Sequence, residues 1–370
     1  MSRDVAFANP ALLALRAYDP GHDLVALRRA VSRPLIELGS NENAWGPSPA
    51  AVQAVRDCLD QLHLYPDPLG GDLKQALAER HGLVPEQIVL GNGSHELLMQ
   101  IAQVVAGPDA GVVASQYGFA VYAIAAAAVG APFTAAAALP ATHAMPRGHD
   151  LDAIADAIAP DTRLVYLANP NNPTGTWHAA DAFAAFMARV PAHVLVVVDE
   201  AYAEFADAPD YASAIGLAGR HPNLLVTRTF SKAYALAGLR IGYAMGDVDV
   251  IGLLERLRES FNVNLPALAA AQAALADADH LHGVVQRTAQ ARTALREALQ
   301  ARGLMVSPAQ TNFLLVDLGR DAASIEESLL ARGIVLRPMR GYGLPHCLRI
   351  TVGRDAQNAV LLAALDEVLR

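Results

Sequence analysis

The sequence predicts an α/β protein with a large domain, built on a mainly parallel sheet, and a smaller α+β domain. Two observations carry this prediction. Short apolar runs rich in β-branched residues alternate with helical patterns through the middle of the chain. Such continuous runs indicate strands that are buried on both faces between layers of helices. The final hundred residues instead show one long amphipathic helix followed by shorter strands and helices, which favours an α+β unit.

Five apolar runs predict the first strands of the large domain. They cover 88–90, 111–114, 163–167, 194–198 and 224–227. The almost wholly apolar stretch 119–139 predicts a helix over about 120–129, then a turn and a buried strand. Gly130, Pro132 and Thr134 interrupt this alanine-rich stretch, which argues against a membrane span.

The two ends of the chain differ from its middle. The first forty residues contain Pro10, Pro20 and Pro34 with little periodicity, which predicts an arm. Near the other end we expect a helix over 281–302 and strands within 311–316, 334–336 and 348–352. We therefore place an arm at 1–44 that joins the small domain, the large domain at 45–270 and the small domain at 271–370.

Composition excludes several classes of protein. Of the 370 residues 53% are hydrophobic and 18% charged, so the chain can bury a sizeable core and is not disordered. The net charge of −9 argues against a nucleic-acid binder and against a polybasic membrane surface. Cys58 and Cys347 form neither a disulfide framework nor a metal-binding spacing, which predicts packing roles in a reducing compartment. The first residues lack a secretory signal, so we expect a cytoplasmic protein.

Polar residues follow the predicted strands, where ligands bind in open α/β sheets. Ser231 and Lys232 come after the run 224–227, and Arg240 lies eight residues further on. Thr229, Ser231 and Arg240 could hold a phosphate beside a lysine amine, and lysine forms Schiff bases with carbonyl groups. This combination suits pyridoxal phosphate, with an ordinary surface lysine as the simpler alternative.

Pyridoxal phosphate needs further groups around its ring and its phosphate, and the sequence has candidates for them. Asp199, at the end of a predicted buried strand, can place a carboxylate against the ring nitrogen. Tyr202 and Asn172 can donate to the ring oxygen, and Phe119 can stack on the ring. Gly93, in a glycine turn that leads into a helix, belongs to a possible phosphate cradle of backbone amides.

Four motifs, in this order, resemble those of the fold-type I aminotransferases. They are Asn172-Pro173-Thr174-Gly175, Asp199-Glu200-Ala201-Tyr202, Ser231-Lys232 with Arg240, and Arg349 within Cys347-Leu348-Arg349-Ile350-Thr351-Val352-Gly353. Within that superfamily the chain is most similar to the histidinol-phosphate aminotransferases. This similarity lies in Asn41-Glu42-Asn43, Gly46-Pro47-Ser48-Pro49, Leu64-Tyr65-Pro66-Asp67, Gly91-Asn92-Gly93-Ser94 and the run from Ser231 to Arg240.

The resemblance covers nearly the whole chain and implies both the fold and the reaction. It implies a large domain with a mainly parallel seven-stranded sheet, a smaller α+β domain, and pyridoxal 5'-phosphate as the cofactor. The reaction would interconvert L-histidinol phosphate and 2-oxoglutarate with imidazole-acetol phosphate and L-glutamate, in histidine biosynthesis. No metal is expected.

The resemblance also implies residue roles. Lys232, Asp199 and Tyr202 would be catalytic, with Lys232 forming the Schiff base and moving the proton. The cofactor would be bound by Gly93, Ser94, His95, Phe119, Asn172, Asp199, Tyr202, Thr229, Ser231, Lys232 and Arg240. Tyr65 would reach the cofactor phosphate of a neighbouring subunit, which implies a homodimer. The substrate-binding residues would be Tyr18, Asn43, Arg337 and Arg349. Arg349 would bind the glutamate carboxylate and the histidinol phosphate group, with Arg337 and Tyr18 assisting the phosphate.

Two other activities share these cofactor motifs. An aromatic amino-acid aminotransferase or a threonine-phosphate decarboxylase would need the same lysine, aspartate and arginine. The sequence therefore leaves both open as alternatives.

Overall fold

The computed structural model describes residues 10–13, 15, 21–30 and 34–370 of the chain. The strands within these ranges are β1 (Ile36–Glu37), β2 (Ile88–Gly91), β3 (Gly111–Ser115), β4 (Phe133–Ala136), β5 (Thr162–Ala168), β6 (Leu195–Asp199), β7 (Leu224–Thr229), β8 (Gly242–Gly246), β9 (Met305–Val306), β10 (Phe313–Asp317), β11 (Ile334–Val335), β12 (Arg337–Pro338) and β13 (Cys347–Thr351). The α-helices are α1 (Pro10–Leu13), α2 (Leu24–Ala30), α3 (Pro49–Asp57), α4 (Gly71–His81), α5 (Ser94–Val105), α6 (Val121–Ala128), α7 (Leu151–Asp156), α8 (Ala180–Arg189), α9 (Val248–Leu257), α10 (Leu265–Ala276), α11 (Ala278–Gln300), α12 (Ala323–Ala331) and α13 (Asp355–Val368).

A seven-stranded sheet forms the centre of the molecule, in the order β2-β8-β7-β6-β5-β3-β4. Strand β8 runs antiparallel to both of its neighbours, and the other six strands run in one direction. The predicted mainly parallel sheet is therefore confirmed. Because β5, β6 and β7 end at the same edge, Ala168, Asp199 and Thr229 come together there.

Apolar side chains cover both faces of this sheet. In β6, Val196 and Val198 pack into one core, and Leu195 and Val197 into the core on the opposite face. Successive side chains of a strand point to opposite faces, so a continuous apolar run satisfies two cores at once. Helices α8 and α10 contribute to the first core, whereas α5 and α6 contribute to the second.

The C-terminal part of the chain has its own sheet, an antiparallel one in the order β12-β13-β10-β9. Helices α11, α12 and α13 supply apolar side chains to a third core with these strands. Strand β1 pairs in parallel with β11, so residues just before the large sheet attach to this C-terminal part. This pairing agrees with an arm that joins a small domain, although the domain division stays a prediction.

The predicted domain boundary between 270 and 271 lies within helix α10, which packs on α3. The domain division stays a prediction, and we propose to place its boundary at Asp277, the N-cap of α11.

Two strands differ from the sequence predictions. The buried strand expected after α6 is β4, an edge strand whose Phe133 is 37% exposed. Strand β8 was not predicted because Gly242 and Gly246 bound a run without β-branched residues.

Gly242 has a role in the site itself. A Cβ at this position would lie 2.6 Å from the backbone nitrogen of Ser94, so glycine lets β8 pass the first turn of α5. The helix start is thereby held at the edge of the sheet where the central strands end.

A helix that crosses a membrane must be both long and apolar. Within the part of the chain that the structure describes, no helix has both the length and the apolar character needed to cross a bilayer.

Candidate active site

A cavity at the carboxyl edge of the central strands brings most of the predicted residues together. The predicted residues in its wall are Ser94, His95, Phe119, Asn172, Asp199, Tyr202, Thr229, Ser231, Lys232, Arg240 and Arg349. Ser40, Asn41, Ala168, Pro170 and Ala201 complete the wall and were not predicted. Residues from the arm, the large sheet and strand β13 therefore meet around one space.

Lys232 lies in the loop that follows β7, and its backbone is held from the arm. Asn43 Nδ2 donates to the carbonyl oxygens of Lys232 and Ala233, at 3.1 and 2.9 Å. Asn43 was predicted to bind substrate, and this role stays a prediction; in the structure its side chain holds the loop that carries Lys232. The Lys232 amine donates to the carbonyl oxygens of Asn41 and Ser40, at 3.3 and 3.4 Å.

The electrostatic environment favours the neutral form of this amine. Burial lowers the pKa of Lys232 to about 8, and the positive charges of Arg349 and Arg240 act in the same direction. A lysine with a pKa near neutrality can give up its proton and serve as a nucleophile or a base.

Asp199 ends strand β6 and is 5% exposed. Its carboxylate accepts hydrogen bonds from Tyr122 Oη at 3.2 Å, from Thr227 Oγ1 at 3.3 Å and from the Ala201 amide at 3.3 Å. Burial raises its pKa to about 6. Among the described residues no lysine, arginine or histidine forms a salt bridge with it. A buried carboxylate without a paired cation favours the binding of a cationic ligand group in the cavity.

The start of α5 and Arg240 form an anion-binding corner. Ser94 and His95 begin this twelve-residue helix, and its first backbone N–H groups lack partners within the helix. Arg240 Nη1 lies 3.4 Å from Ser231 Oγ, to which it donates. Gly93 does not line the cavity, but a Cβ there would lie 2.7 Å from Arg240 Nη2, so glycine admits the guanidinium.

Two neighbours complete this corner. Thr229 Oγ1 accepts a hydrogen bond from the Ser231 amide at 3.1 Å and thereby shapes the loop before Lys232. Burial lowers the pKa of His95, and the charge of Arg240 lowers it further, so both favour the neutral imidazole. The corner combines helix amides, a hydroxyl and a guanidinium, which suits a phosphate.

Arg349 presents a second guanidinium in the wall of the cavity. Its Nη1 donates to Asn172 Oδ1 at 2.6 Å and its Nη2 donates to the Gly39 carbonyl at 2.7 Å. Its guanidinium carbon lies 5.2 Å from the centre of the Phe313 ring. Asn172 stands in the loop after β5, next to a cis peptide bond to Pro173. These contacts fix the guanidinium plane at the wall of the cavity.

Two aromatic residues, Phe119 and Tyr202, also line the cavity. Phe119 lies edge-on to Tyr122, with ring centres 6.0 Å apart. Tyr202 Oη accepts a hydrogen bond from Asn41 Nδ2 at 2.9 Å. Tyr122 and Thr227, which contact Asp199, were missed in the sequence because neither belongs to a motif.

Besides Asn43 and Gly93, two described residues of the predicted set do not line the cavity. Arg337 is the register partner of Arg349 on β12 but is absent from the cavity wall, and a Cβ on Gly21 would overlap its guanidinium. Tyr65 is 81% exposed and stacks on Phe261 with ring centres 4.6 Å apart. Tyr18 lies outside the described residues.

Comparison with known proteins gives consistent matches over the whole chain. The family model described as "Aminotransferase class I and II" matches residues 33–365. The chain is 44% identical over 363 residues to histidinol-phosphate aminotransferase 2 of Methylococcus capsulatus, covering 98% of each chain. It is 45% identical over 372 residues to histidinol-phosphate aminotransferase 2 of Pseudomonas aeruginosa, covering 100% of this chain and 99% of that one.

Comparison with solved structures gives the same group of proteins. The crystal structure of histidinol-phosphate aminotransferase from Sinorhizobium meliloti in complex with pyridoxal-5'-phosphate superposes with a TM-score of 0.88. It shares 35% sequence identity, and the match covers 98% of this chain and 97% of that one. The predicted fold-type I architecture is therefore confirmed, and the chain belongs to the class I and II aminotransferase family.

Proposed function

We propose that this chain transfers the amino group of L-histidinol phosphate to 2-oxoglutarate, with pyridoxal 5'-phosphate as its cofactor. The observation that carries the proposal is that Lys232, Asp199 and Arg349 line one cavity. An amine of lowered pKa, a buried carboxylate and an anion-binding guanidinium are the groups that this chemistry needs. The full-length similarity to histidinol-phosphate aminotransferases supports the choice of substrate.

The charges of the cavity fit this cofactor. Asp199, which no described cation neutralises, would face the protonated ring nitrogen. Ser94, Ser231 and Arg240 would hold the phosphate at the anion-binding corner. The remaining predicted contacts would come from Gly93, His95, Phe119, Asn172, Tyr202 and Thr229. When bound, pyridoxal phosphate supplies an electron-withdrawing ring that stabilises negative charge on the substrate carbon bearing the amine.

Lys232 would perform the proton transfer. Its Nζ takes the proton from that substrate carbon, and a pKa of about 8 suits a base that works near neutral pH. The hydrogen bonds from Asn43 hold the lysine backbone, so the amine starts from a defined position.

Arg349 would bind an anionic group in both halves of the reaction. Glutamate and 2-oxoglutarate offer a carboxylate, whereas L-histidinol phosphate offers its phosphate at the corresponding carbon. A planar guanidinium donates two parallel hydrogen bonds to either group. Arg337, beside Arg349 on the neighbouring strand, and Tyr18 would assist the phosphate.

We also propose a homodimer in which Tyr65 reaches the partner's cofactor phosphate. Large apolar side chains close to Tyr65 in sequence, and Phe261 stacked on it, are exposed in the single chain, and exposed apolar surface of this kind is typical of protein interfaces. They are Leu59, Leu62, Leu64, Leu69 and Phe261. The cytoplasmic location suggested by the two cysteines, both free and buried here, stays a prediction.

The test of substrate choice is a comparison of kcat/KM with 2-oxoglutarate as acceptor. The purified, cofactor-loaded protein is assayed with L-histidinol phosphate, phenylalanine and tyrosine, and the Lys232→Ala variant is the blank. We expect a preference of about ten- to a hundredfold for L-histidinol phosphate, the range that one extra charge-assisted contact provides. Equal or better rates with the aromatic amino acids would overturn the proposal, as would release of carbon dioxide from threonine phosphate without amino transfer.

A further inference from the structure

Asn41 has an unusual backbone conformation in the wall of the cavity. It is 1% exposed, and its φ of 56° lies in the left-handed region, which few residues other than glycine adopt. Asparagine tolerates this region better than most residues, but at a cost in free energy that the surroundings must offset. The hydrogen bonds of the Asn41 side chain and backbone indicate what this conformation serves.

On one side Asn41 contacts two residues predicted to be catalytic. Its Nδ2 donates to Tyr202 Oη at 2.9 Å, and its carbonyl oxygen accepts from Lys232 Nζ at 3.3 Å. The same carbonyl accepts from Asn312 Nδ2 at 3.1 Å, which fixes its direction. A hydroxyl that accepts a hydrogen bond is polarised and becomes a stronger donor, so the bond to Tyr202 affects both its position and its donor strength.

On its other side Asn41 is bonded twice to Thr351. Its backbone N–H donates to Thr351 Oγ1 at 2.9 Å, and that hydroxyl donates to Asn41 Oδ1 at 3.2 Å. Thr351 lies on β13 two residues after Arg349, so the two side chains point to the same face of the strand. Asn41 thus connects the strand that carries the anion-binding arginine with the residues on the cofactor side.

We propose that Asn41 is a positioning residue, which sets the donor strength of Tyr202 through its side-chain amide and links Tyr202 and Lys232 to the Arg349 strand. This role rests on the proposed function only in requiring bound pyridoxal phosphate. It does not depend on which amino donor the enzyme prefers.

The test uses Asn41→Gly, because glycine keeps the left-handed backbone and removes only the side chain. The readout is the pH midpoint of the visible absorption of the bound cofactor, which reports loss of the proton from the Lys232 nitrogen. A Tyr202 that donates less strongly leaves more negative charge on the cofactor's ring oxygen, which holds this proton more firmly. We expect the midpoint to rise by a few tenths of a pH unit, roughly 10–30% of the effect of one charge-assisted hydrogen bond.

A double-mutant cycle with Tyr202→Phe separates this role from a merely structural one. Since Asn41 is proposed to act through the Tyr202 hydroxyl, Asn41→Gly should add no further shift in the Tyr202→Phe protein. Asn223→Gly is the matched control. Asn223 precedes β7, at the end of that strand away from Lys232, and its side-chain amide donates to the carbonyls of Pro191 and Val194. Removing this amide should leave the midpoint unchanged.

Two results would overturn the proposal: an unchanged midpoint in folded, cofactor-loaded Asn41→Gly, or the same shift with and without the Tyr202 hydroxyl. If Asn41→Gly does not fold, Thr351→Val tests the same link, because it removes the hydroxyl that holds Asn41 and keeps the side-chain shape. An unchanged midpoint in Thr351→Val then overturns the proposal, and an upward shift supports it. None of these measurements uses histidinol phosphate. A wrong choice of substrate in the proposed function would therefore be detected separately, by the kcat/KM comparison.

Discussion

Arg337 and Arg349 lie directly opposite each other on β12 and β13, but of the two Arg349 alone lines the cavity. Side chains at opposite positions of an antiparallel pair lie on the same face of the sheet, with Cβ atoms about 5 Å apart. The two arginine side chains therefore begin at neighbouring positions on one face of the sheet. We propose that a doubly charged phosphate engages both arginines, whereas a carboxylate needs only Arg349.

This arrangement predicts different losses for the two arginines. Arg349→Ala should weaken both half-reactions by about ten- to a hundredfold, the value of one charge-assisted contact. Arg337→Ala should weaken the L-histidinol phosphate half-reaction by a similar factor and change the glutamate half-reaction little. Single-turnover kinetics of each half-reaction measure both effects. Arg340→Ala, which removes an exposed guanidinium nearby, is the control. Equal loss with glutamate in Arg337→Ala would remove the phosphate-specific role.

Replacing Asp199 with asparagine should lower turnover without lowering the stability of the fold. Asp199→Asn removes the negative charge that would hold the ring nitrogen protonated, so turnover should fall by about a hundredfold or more. The cofactor-free variant should unfold at the same or a higher temperature at neutral pH. The reason is that burial raises the pKa of this carboxyl to about 6, so its charged form is disfavoured in the folded state. Turnover near that of the unaltered enzyme, or a strongly destabilised cofactor-free variant, would contradict the assignment.

The lowered pKa of Lys232 predicts a pH-dependent stability in the cofactor-free protein. A folded-state pKa of about 8 lies below the ordinary value of 10.5, so the charged amine destabilises the fold. That destabilisation is fully present below about pH 8 and disappears as the pH rises towards 10.5. Lys232→Met should therefore be more stable than the unaltered chain below pH 8, with a difference that shrinks above it. Urea unfolding at a series of pH values checks this, and a pH-independent difference would contradict it.

Tyr65 should act across a subunit interface. Tyr65→Ala and Lys232→Ala homodimers should each be poorly active, but a mixture refolded together should regain activity. In the heterodimer one site combines the intact lysine of one chain with the intact tyrosine of the other, so random pairing restores about a quarter of the sites. Tyr65→Phe, which keeps the ring stacked on Phe261, shows how much of the effect belongs to the hydroxyl. No regain, with heterodimers demonstrated, would place each site within one chain.

The sequence predicted those site residues that follow a strand and belong to a compact motif. Asp199 and Lys232 are of this kind, since the strand before each is a continuous apolar run and the polar residue comes at its end. The arginine of β13 was found only through the resemblance to known aminotransferases, because nothing near it in sequence marks an anion site.

Contacts between distant parts of the chain could not be predicted. Asn41 belongs to a motif that was recognised, yet its bond to Tyr202 spans 161 positions and depends on a left-handed backbone. Tyr122 belongs to an alanine-rich helix whose pattern indicates packing, and only the folded structure brings its hydroxyl to Asp199. Strand β8 was missed for a related reason: Gly242 allows the close approach to α5 and Gly246 the close approach to Leu225, and neither glycine favours a strand in sequence.

The most direct test of the account is borohydride reduction of the cofactor-loaded enzyme, followed by peptide mapping. The sequence contains only two lysines, Lys232 and Lys74, and Lys74 is paired with Glu255. The account predicts that the cofactor is fixed to Lys232. Prior incubation with L-histidinol phosphate alone should abolish this labelling, since the cofactor then carries the substrate's amino group, and added 2-oxoglutarate should restore it. Labelling of Lys74, or labelling of Lys232 that L-histidinol phosphate does not change, would contradict the account.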